Sequence, residues 1–236
     1  MNQVTPYNTA AGKKKEVEDM FDNIAPKYDL LNHVLSMKID VLWRNTLVKW
    51  MNADQPKEVL DVATGTGDLA IAVQKGTGAK IVGLDLSQQM LNVGIDKIKK
   101  ISLTDQIEMI KGDAENLPFE SNKFDFIYSA SAFHWIPEQI GYEKVYSMLK
   151  NGGAFARFAN HPFRDKFNPD LSEEIDRIYE KHYYTYYKTE PRKIVEYTEK
   201  EALDRAMLAK KYGFEDIKYI TEEINQIESK SNSDKE

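Results

Sequence analysis

The chain has 236 residues, 42% of them hydrophobic and 30% charged, which suits one large domain or two small ones and excludes disorder throughout. Its 32 Lys and Arg against 38 Asp and Glu leave a net charge of −6, arguing against a nucleic acid as main ligand, since phosphate contacts need a concentrated basic surface. The absence of cysteine excludes disulfides, thiolate zinc sites, iron–sulfur clusters and cysteine nucleophiles, and is compatible with a cytoplasmic protein.

Residues 1–12 are polar with one proline and read as a flexible lead-in, with neither a secretory apolar core nor a membrane-spanning run expected in the chain. From Lys13 the spacing turns helical, with Val17, Met20, Phe21 and Ile24 on one stripe, and Pro26 interrupts it. Two further apolar series, Tyr28 to Leu35 and Leu42 to Met51, extend a helical cap over residues 13–52. The run Lys13-Lys14-Lys15-Glu16 reads as a solvated face, with contact to anionic lipid as the alternative.

From Lys57 short β-type runs alternate with helical stretches. Strands are expected at 58–63, 80–85, 106–111, 124–129 and 153–159, with helices at 67–75, 87–100 and 137–150 between them. That order predicts an α/β fold: a Rossmann-like, doubly wound, mainly parallel sheet over residues 57–160. Substrate-side helices at 170–181 and 199–211 fill the region 161–212, and a strand is expected at 214–220, FEDIKYI. The domain thus runs from 13 to 221, and residues 222–236 form a polar tail.

The first strand enters VLDVATGTGDLA, residues 59–70. Gly65 and Gly67 allow a tight turn and close approach of a ligand, and the helix that follows points its positive end into the gap. Taken alone, Gly65-x-Gly67-x-x-Ala70 with Asp85 downstream also fits a relaxed dinucleotide fingerprint. Three acids at successive strand ends, Asp61, Asp85 and Asp113, shift the balance. A pyrophosphate is repelled by Asp61, whereas a ligand bearing an ammonium and a sulfonium is favoured. Asp85 can accept ribose hydroxyls and Asp113 an adenine amino group, which fits S-adenosylmethionine better than NAD.

With these motifs the chain resembles the class I S-adenosylmethionine-dependent methyltransferases over residues 13–160. Residues 17–127 resemble the menaquinone/ubiquinone C-methyltransferase family in the stretches MFDNIAPKYDLLNHVLS, IDVLWR, VLDVATGTGDLA, GLDLSQQMLNVG and GDAENLPFESNKFD. The resemblance implies that Thr66, Asp85, Asp113 and Ala114 contact the cofactor, with Ala130 nearby and Tyr28 closing over it. Asp61, Thr64, Gly65, Gly67 and Leu86 complete the expected cofactor set. Such folds usually close with an antiparallel seventh strand. After FEDIKYI only 16 mostly polar residues remain, too few for a connecting helix and that strand, so the expectation is either a poor substitute from the tail or a sheet that lacks it.

Residues 128–165 resemble other small-molecule methyltransferases instead. Where the quinone family has Phe-Gly-[Leu/Ile/Val]-Arg-Asn, this chain has Ser131-Ala132-Phe133-His134-Trp135, nearer to the group that methylates trans-aconitate. His134, just past the fourth strand, is the candidate general base, with structural packing against Trp135 as its alternative. Trp135, Tyr183 and Tyr184 are candidate substrate contacts, although such rings are commonly packing. No metal site is expected, because the four histidines show no ligand spacing. The expectation is methyl transfer to demethylmenaquinol, the alternative a small carboxylic acid or other metabolite. Less favoured are an NAD oxidoreductase and a non-catalytic cofactor-binding protein. A quinol substrate would place the protein at the inner face of a membrane as a peripheral partner.

Overall fold

A computed structural model describes residues 12–30, 39–117, 119–158, 169–184, 203–204 and 206–218. Five parallel strands form one sheet: β1 (Glu58–Val62), β2 (Lys80–Asp85), β3 (Ile107–Lys111), β4 (Phe124–Ala130) and β5 (Leu149–Phe158). Their order is β3-β2-β1-β4-β5, so the chain builds outward from β1 in one direction and then returns to build in the other. The switch point between β1 and β4 is where a doubly wound sheet opens a crevice for ligands.

The helices are α1 (Lys13–Ile24), α2 (Ile39–Asp54), α3 (Asp68–Thr77), α4 (Gln88–Lys100), α5 (Glu138–Met148) and α6 (Pro169–Ile178). Both faces of the sheet are covered. On one, Val59, Ile81, Phe126 and Tyr128 pack with Leu47 and Met51 of α2, Leu69 and Val73 of α3 and Ile98 of α4. On the other, Leu60, Val62, Leu84 and Ile127 meet Tyr142, Val145 and Met148 of α5. Burying such side chains contributes roughly 1.5–3 kcal/mol each. A strand covered on both faces reads as a near-continuous apolar run, and Asp61 is the one residue of β1 that breaks it while being buried, at 1% exposure.

Asp125 fixes the opposite end of β1. It accepts from the amides of Lys57 (2.9 Å) and Glu58 (2.8 Å) and from Lys150 Nζ (2.8 Å). Partial burial works against its ionised form, yet these donors hold its carboxyl below the usual value.

Strands 1 to 4 fall within a residue of their expected bounds. β5 starts at Leu149, four residues before the expected 153, because LKNGG continues along β4 through a register shift between Phe124 and Phe126. The expected strand at 214–220 is corrected over its described part. Residues 214–218 form no strand: Asp216 has φ of 49°, and the Phe214 ring packs on Tyr142, Tyr146 and Phe155 rather than extending along the sheet. Helix 170–181 ends as α6 at Ile178 and passes into a π-helical turn, Tyr179–Tyr184, and the helix expected to reach 211 finishes as a 3-10 turn, Leu208–Tyr212. The lead-in, the tail and any closing strand after 218 lie outside the described residues.

Candidate cofactor site

The turn after β1 is built from alternating backbone hand. Ala63, Gly65 and Gly67 have φ of 63°, 59° and 75°, and Gly67 caps α3. For Ala63 that conformation is uncommon, and such residues cluster at functional sites. Gly67 is favoured by its φ, and a Cβ there would also press on Met109 Cε at 3.0 Å.

Three amides of this turn are committed. Thr64 N donates to Leu84 O (2.9 Å), Gly65 N to Asp85 Oδ2 (2.8 Å) and Gly67 N to Thr64 O (3.0 Å). A dinucleotide loop needs free amides for its pyrophosphate. Here Asp85 holds one of them, and Asp68 stands in the first turn of α3. The turn is therefore suited to a ligand that is neutral or cationic where it meets β1.

Two buried carboxyls line the strand ends. Burial lifts Asp61 to about 7, against the Thr64 and Tyr128 hydroxyls, while Asp85 adds to the lift. Thr64 Oγ1 donates to Asp61 Oδ2 at 2.7 Å. Burial also raises Asp85, which accepts from Ser87 N at 2.8 Å as well as from Gly65, with Asp22 raising it further. Both raised groups stand at the C-terminal ends of neighbouring parallel strands, β1 and β2, the end of a doubly wound sheet at which ligands bind and perturbed carboxyls mark sites.

Asp113, after β3, is more exposed. Partial burial would lift it, but Lys14, the Glu115 amide and Asn116 hold its carboxyl below the usual value. Lys14 of α1 lies 2.7 Å from Asp113 and 3.1 Å from Glu115, and Lys111 pairs with Glu18 at 2.8 Å. The Lys13–Glu16 run is thus not merely a solvated face: Lys14 docks on the site and Glu16 is buried, at 1% exposure. The cap continues this docking. Thr66 Oγ1 donates to Asp29 at 2.6 Å, Lys97 bridges Asp29 and Asp68, and Arg44 reaches Asp68 at 3.2 Å. Ser87, the N-cap of α4, donates to Asp22 from its hydroxyl. Tyr28, half-buried beside Asp29, meets Phe21 edge-on at 6.2 Å.

The remaining expected residues occupy the same end of the sheet. Leu86 follows Asp85, Ala114 follows Asp113, and both are half-buried. Ala130 ends β4, and Ser131 after it adopts φ of 52° while its amide donates to Phe158 O. The 3-10 turn Phe133–Trp135 then exposes His134, whose ring lies 5.0 Å from that of Trp135. The backbone of Tyr183 and Tyr184 belongs to the π-helical turn, and their rings lie outside what is described. Sequence reasoning missed Asp22, Asp29, Lys97 and Tyr128. Of these only the Ser87 cap that Asp22 meets carried a sequence signal, as an N-cap before an amphipathic helix.

Comparison with known proteins decides the family. The ubiE/COQ5 methyltransferase family model matches residues 9–224. The chain belongs to the ubiE/COQ5 methyltransferase family. Relatives named demethylmenaquinone methyltransferase include one from Bacteroides fragilis, 40% identical over 64% of this chain and 62% of its own length. Another, from Porphyromonas gingivalis, is 33% identical over 70% of this chain and 71% of its own length. The match thus spans less than two thirds of the Bacteroides fragilis relative.

Solved structures of the same fold include a Methanococcus maripaludis protein assigned as an S-adenosyl-L-methionine-dependent methyltransferase. It is 24% identical over 84% of this chain and 83% of its own, with a TM-score of 0.56. The cyclase SpnF is 22% identical over 66% and 61%, with a TM-score of 0.55. A methyltransferase and a cyclase on one fold illustrate why chemistry is argued from the site. Among the described residues no helix is long and apolar enough to cross a membrane.

Proposed function

We propose that the chain is an S-adenosylmethionine-dependent methyltransferase that methylates the ring of demethylmenaquinol, in the biosynthesis of menaquinone. The observation that carries the cofactor is the glycine turn itself: three of its amides are committed internally and two buried carboxyls flank it, a chemistry matched to a ligand bearing cationic groups and ribose hydroxyls. The substrate reading is supported by family membership and by the names of relatives 33–40% identical.

In this reading Asp85 accepts the ribose hydroxyls on lone pairs that the Gly65 and Ser87 amides leave open. Asp61 and Thr64 receive the amino-acid end against Gly65, Thr66 and Gly67. Leu86, Asp113 and Ala114 flank the base, while Ala130 and Tyr28 border the reacting end. Bound there, the cofactor supplies a methyl group already activated by its sulfonium. The chain's own work is alignment and exclusion of water, which the cap performs through Asp22, Asp29 and Lys14.

A ring carbon becomes nucleophilic when its neighbouring hydroxyl loses a proton, and His134, exposed past β4, takes that proton on an imidazole nitrogen. Trp135, Tyr183 and Tyr184 border the ring. A quinol with an apolar tail would be met at a membrane surface. The Ala132–Trp135 segment favours a second acceptor, a small carboxylic acid, for which no base is required. Expression in a bacterium deleted for its own demethylmenaquinone methyltransferase tests the choice. Restored menaquinone, identified by mass spectrometry of extracted quinones, is the expected result. Continued accumulation of demethylmenaquinone, with the chain expressed and folded, would refute the quinol reading.

A further inference from the structure

Asp61 and Tyr128 are Cα partners across the switch point between β1 and β4. Tyr128 is wholly buried in the core under α2 and α3, stacked on Phe158 at 6.5 Å, and its hydroxyl makes no hydrogen bond of regular geometry among the described residues, although it stands close enough to Asp61 for each to act on the other. A buried hydroxyl without a regular hydrogen bond is costly to keep, so its surroundings are where its use is sought. Phenylalanine would fill the same space without that cost.

The charge beside the phenol is Asp61, and the two act on each other's titration. Thr64 donates to Asp61 from the turn, Tyr128 faces it from β4 and Asp85 from the end of β2. From the helices above, Asp68 is bound to Arg44 and Lys97, and Lys97 to Asp29. None of the groups that act on Asp61 is a cation. A buried carboxyl with two hydroxyl neighbours and no cation among the described residues is a half-built ion pair, and its missing half is a positive group of the ligand.

We propose that Tyr128 is the positioning residue of Asp61: when a cationic ligand group seats on the glycine turn, the phenol donates to the Asp61 carboxylate, and the carboxyl proton leaves to solvent. This rests on the S-adenosylmethionine reading of the site. Neutral Asp61 plus the ligand cation gives the carboxylate–cation pair plus one proton in water, and Tyr128 keeps its own proton throughout. With Asp61 lifted to about 7 by burial, cofactor binding is coupled to proton release near neutrality. Without the phenol the carboxylate loses a donor, so ionisation of Asp61 moves to higher pH.

The test is calorimetry of S-adenosylhomocysteine with wild type and Tyr128→Phe from about pH 5.5 to about 8.5, in buffers of differing ionisation enthalpy. Wild-type affinity should rise about tenfold per unit below pH 7 and level off above it, with about half a proton released per site at pH 7. If loss of the phenol shifts Asp61 by about one unit, the variant binds about fivefold more weakly at pH 7 and within about 1.5-fold of wild type at pH 8.5. Superimposable pH profiles, or no proton release at pH 7, would overturn the proposal.

A carbon NMR titration of the Asp61 carboxyl in the free protein, assigned with Asp61→Asn, keeps the two readings apart. If S-adenosylhomocysteine binds at no pH, the cofactor reading fails, and the free-protein titration still decides on Tyr128. A wild-type midpoint near neutrality that moves up in Tyr128→Phe supports the pair. A midpoint in the ordinary carboxylate range, seen in wild type alone, overturns it.

Discussion

Asp61→Asn should make the protein more stable at neutral and alkaline pH while removing its cofactor affinity. Asparagine preserves the shape and leaves an oxygen for the Thr64 hydroxyl, which now donates to Asp61 at 2.7 Å, but it cannot ionise. In the folded wild type, burial lifts Asp61 from 3.8 to about 7. The folded state therefore holds its proton more tightly than the unfolded chain. That contribution is complete below about pH 4 and is lost as pH rises through about 7. A rise from 3.8 to about 7 sets an upper figure of about 4 kcal/mol, and relaxation around a buried group reduces it to about 2–4 kcal/mol. Urea denaturation followed by tryptophan fluorescence, repeated between pH 4 and 8, measures both proteins. The stability difference in favour of Asp61→Asn should grow by about 2–4 kcal/mol across that range. Parallel curves would mean that Asp61 is ionised in the fold at acid pH, and would refute the reasoning.

Three further outcomes follow from the site. Asp85→Ala should weaken S-adenosylhomocysteine binding by about 1.5–3 kcal/mol, the scale of hydrogen bonds to a charged acceptor, and an unchanged Kd in calorimetry would remove Asp85 from the ribose. Gly94→Ala places a methyl 2.4 Å from Met109 Cε and 3.1 Å from Thr66 O, pressing on the glycine turn from α4. It should cost roughly 1–3 kcal/mol and weaken the cofactor, and an unaltered Tm and Kd would contradict that close approach. His134→Ala should lower quinol turnover by about 10²–10⁴ with cofactor affinity intact, whereas a change confined to KM would make His134 a substrate contact and not a base.

The parallel sheet and the glycine turn were legible because their signals are local. Apolar runs such as VLDV and KIVGLD give buried strands, and a glycine pair with acids at strand ends has few other uses. The docking of the cap was not legible. Asp22, Asp29 and Lys14 sit on polar helix faces, and a charge there reads the same whether it meets water or another element's charge. Tyr128 stayed hidden for the opposite reason, since an aromatic ring in an apolar strand reads as core and its orphan hydroxyl is a tertiary fact. FEDIKYI misled because its alternation fits a strand, while the contacts of Phe214 with Tyr142 and Tyr146 override that propensity.

The most direct measurement is an assay with isotopically labelled S-adenosylmethionine, in which wild type and Asp85→Ala are offered demethylmenaquinol or a panel of di- and tricarboxylic acids. The account predicts label in menaquinone with wild type, a much reduced signal with Asp85→Ala, and none in the acids. Label in a carboxylic ester with none in the quinone would contradict it and transfer the site to the other acceptor.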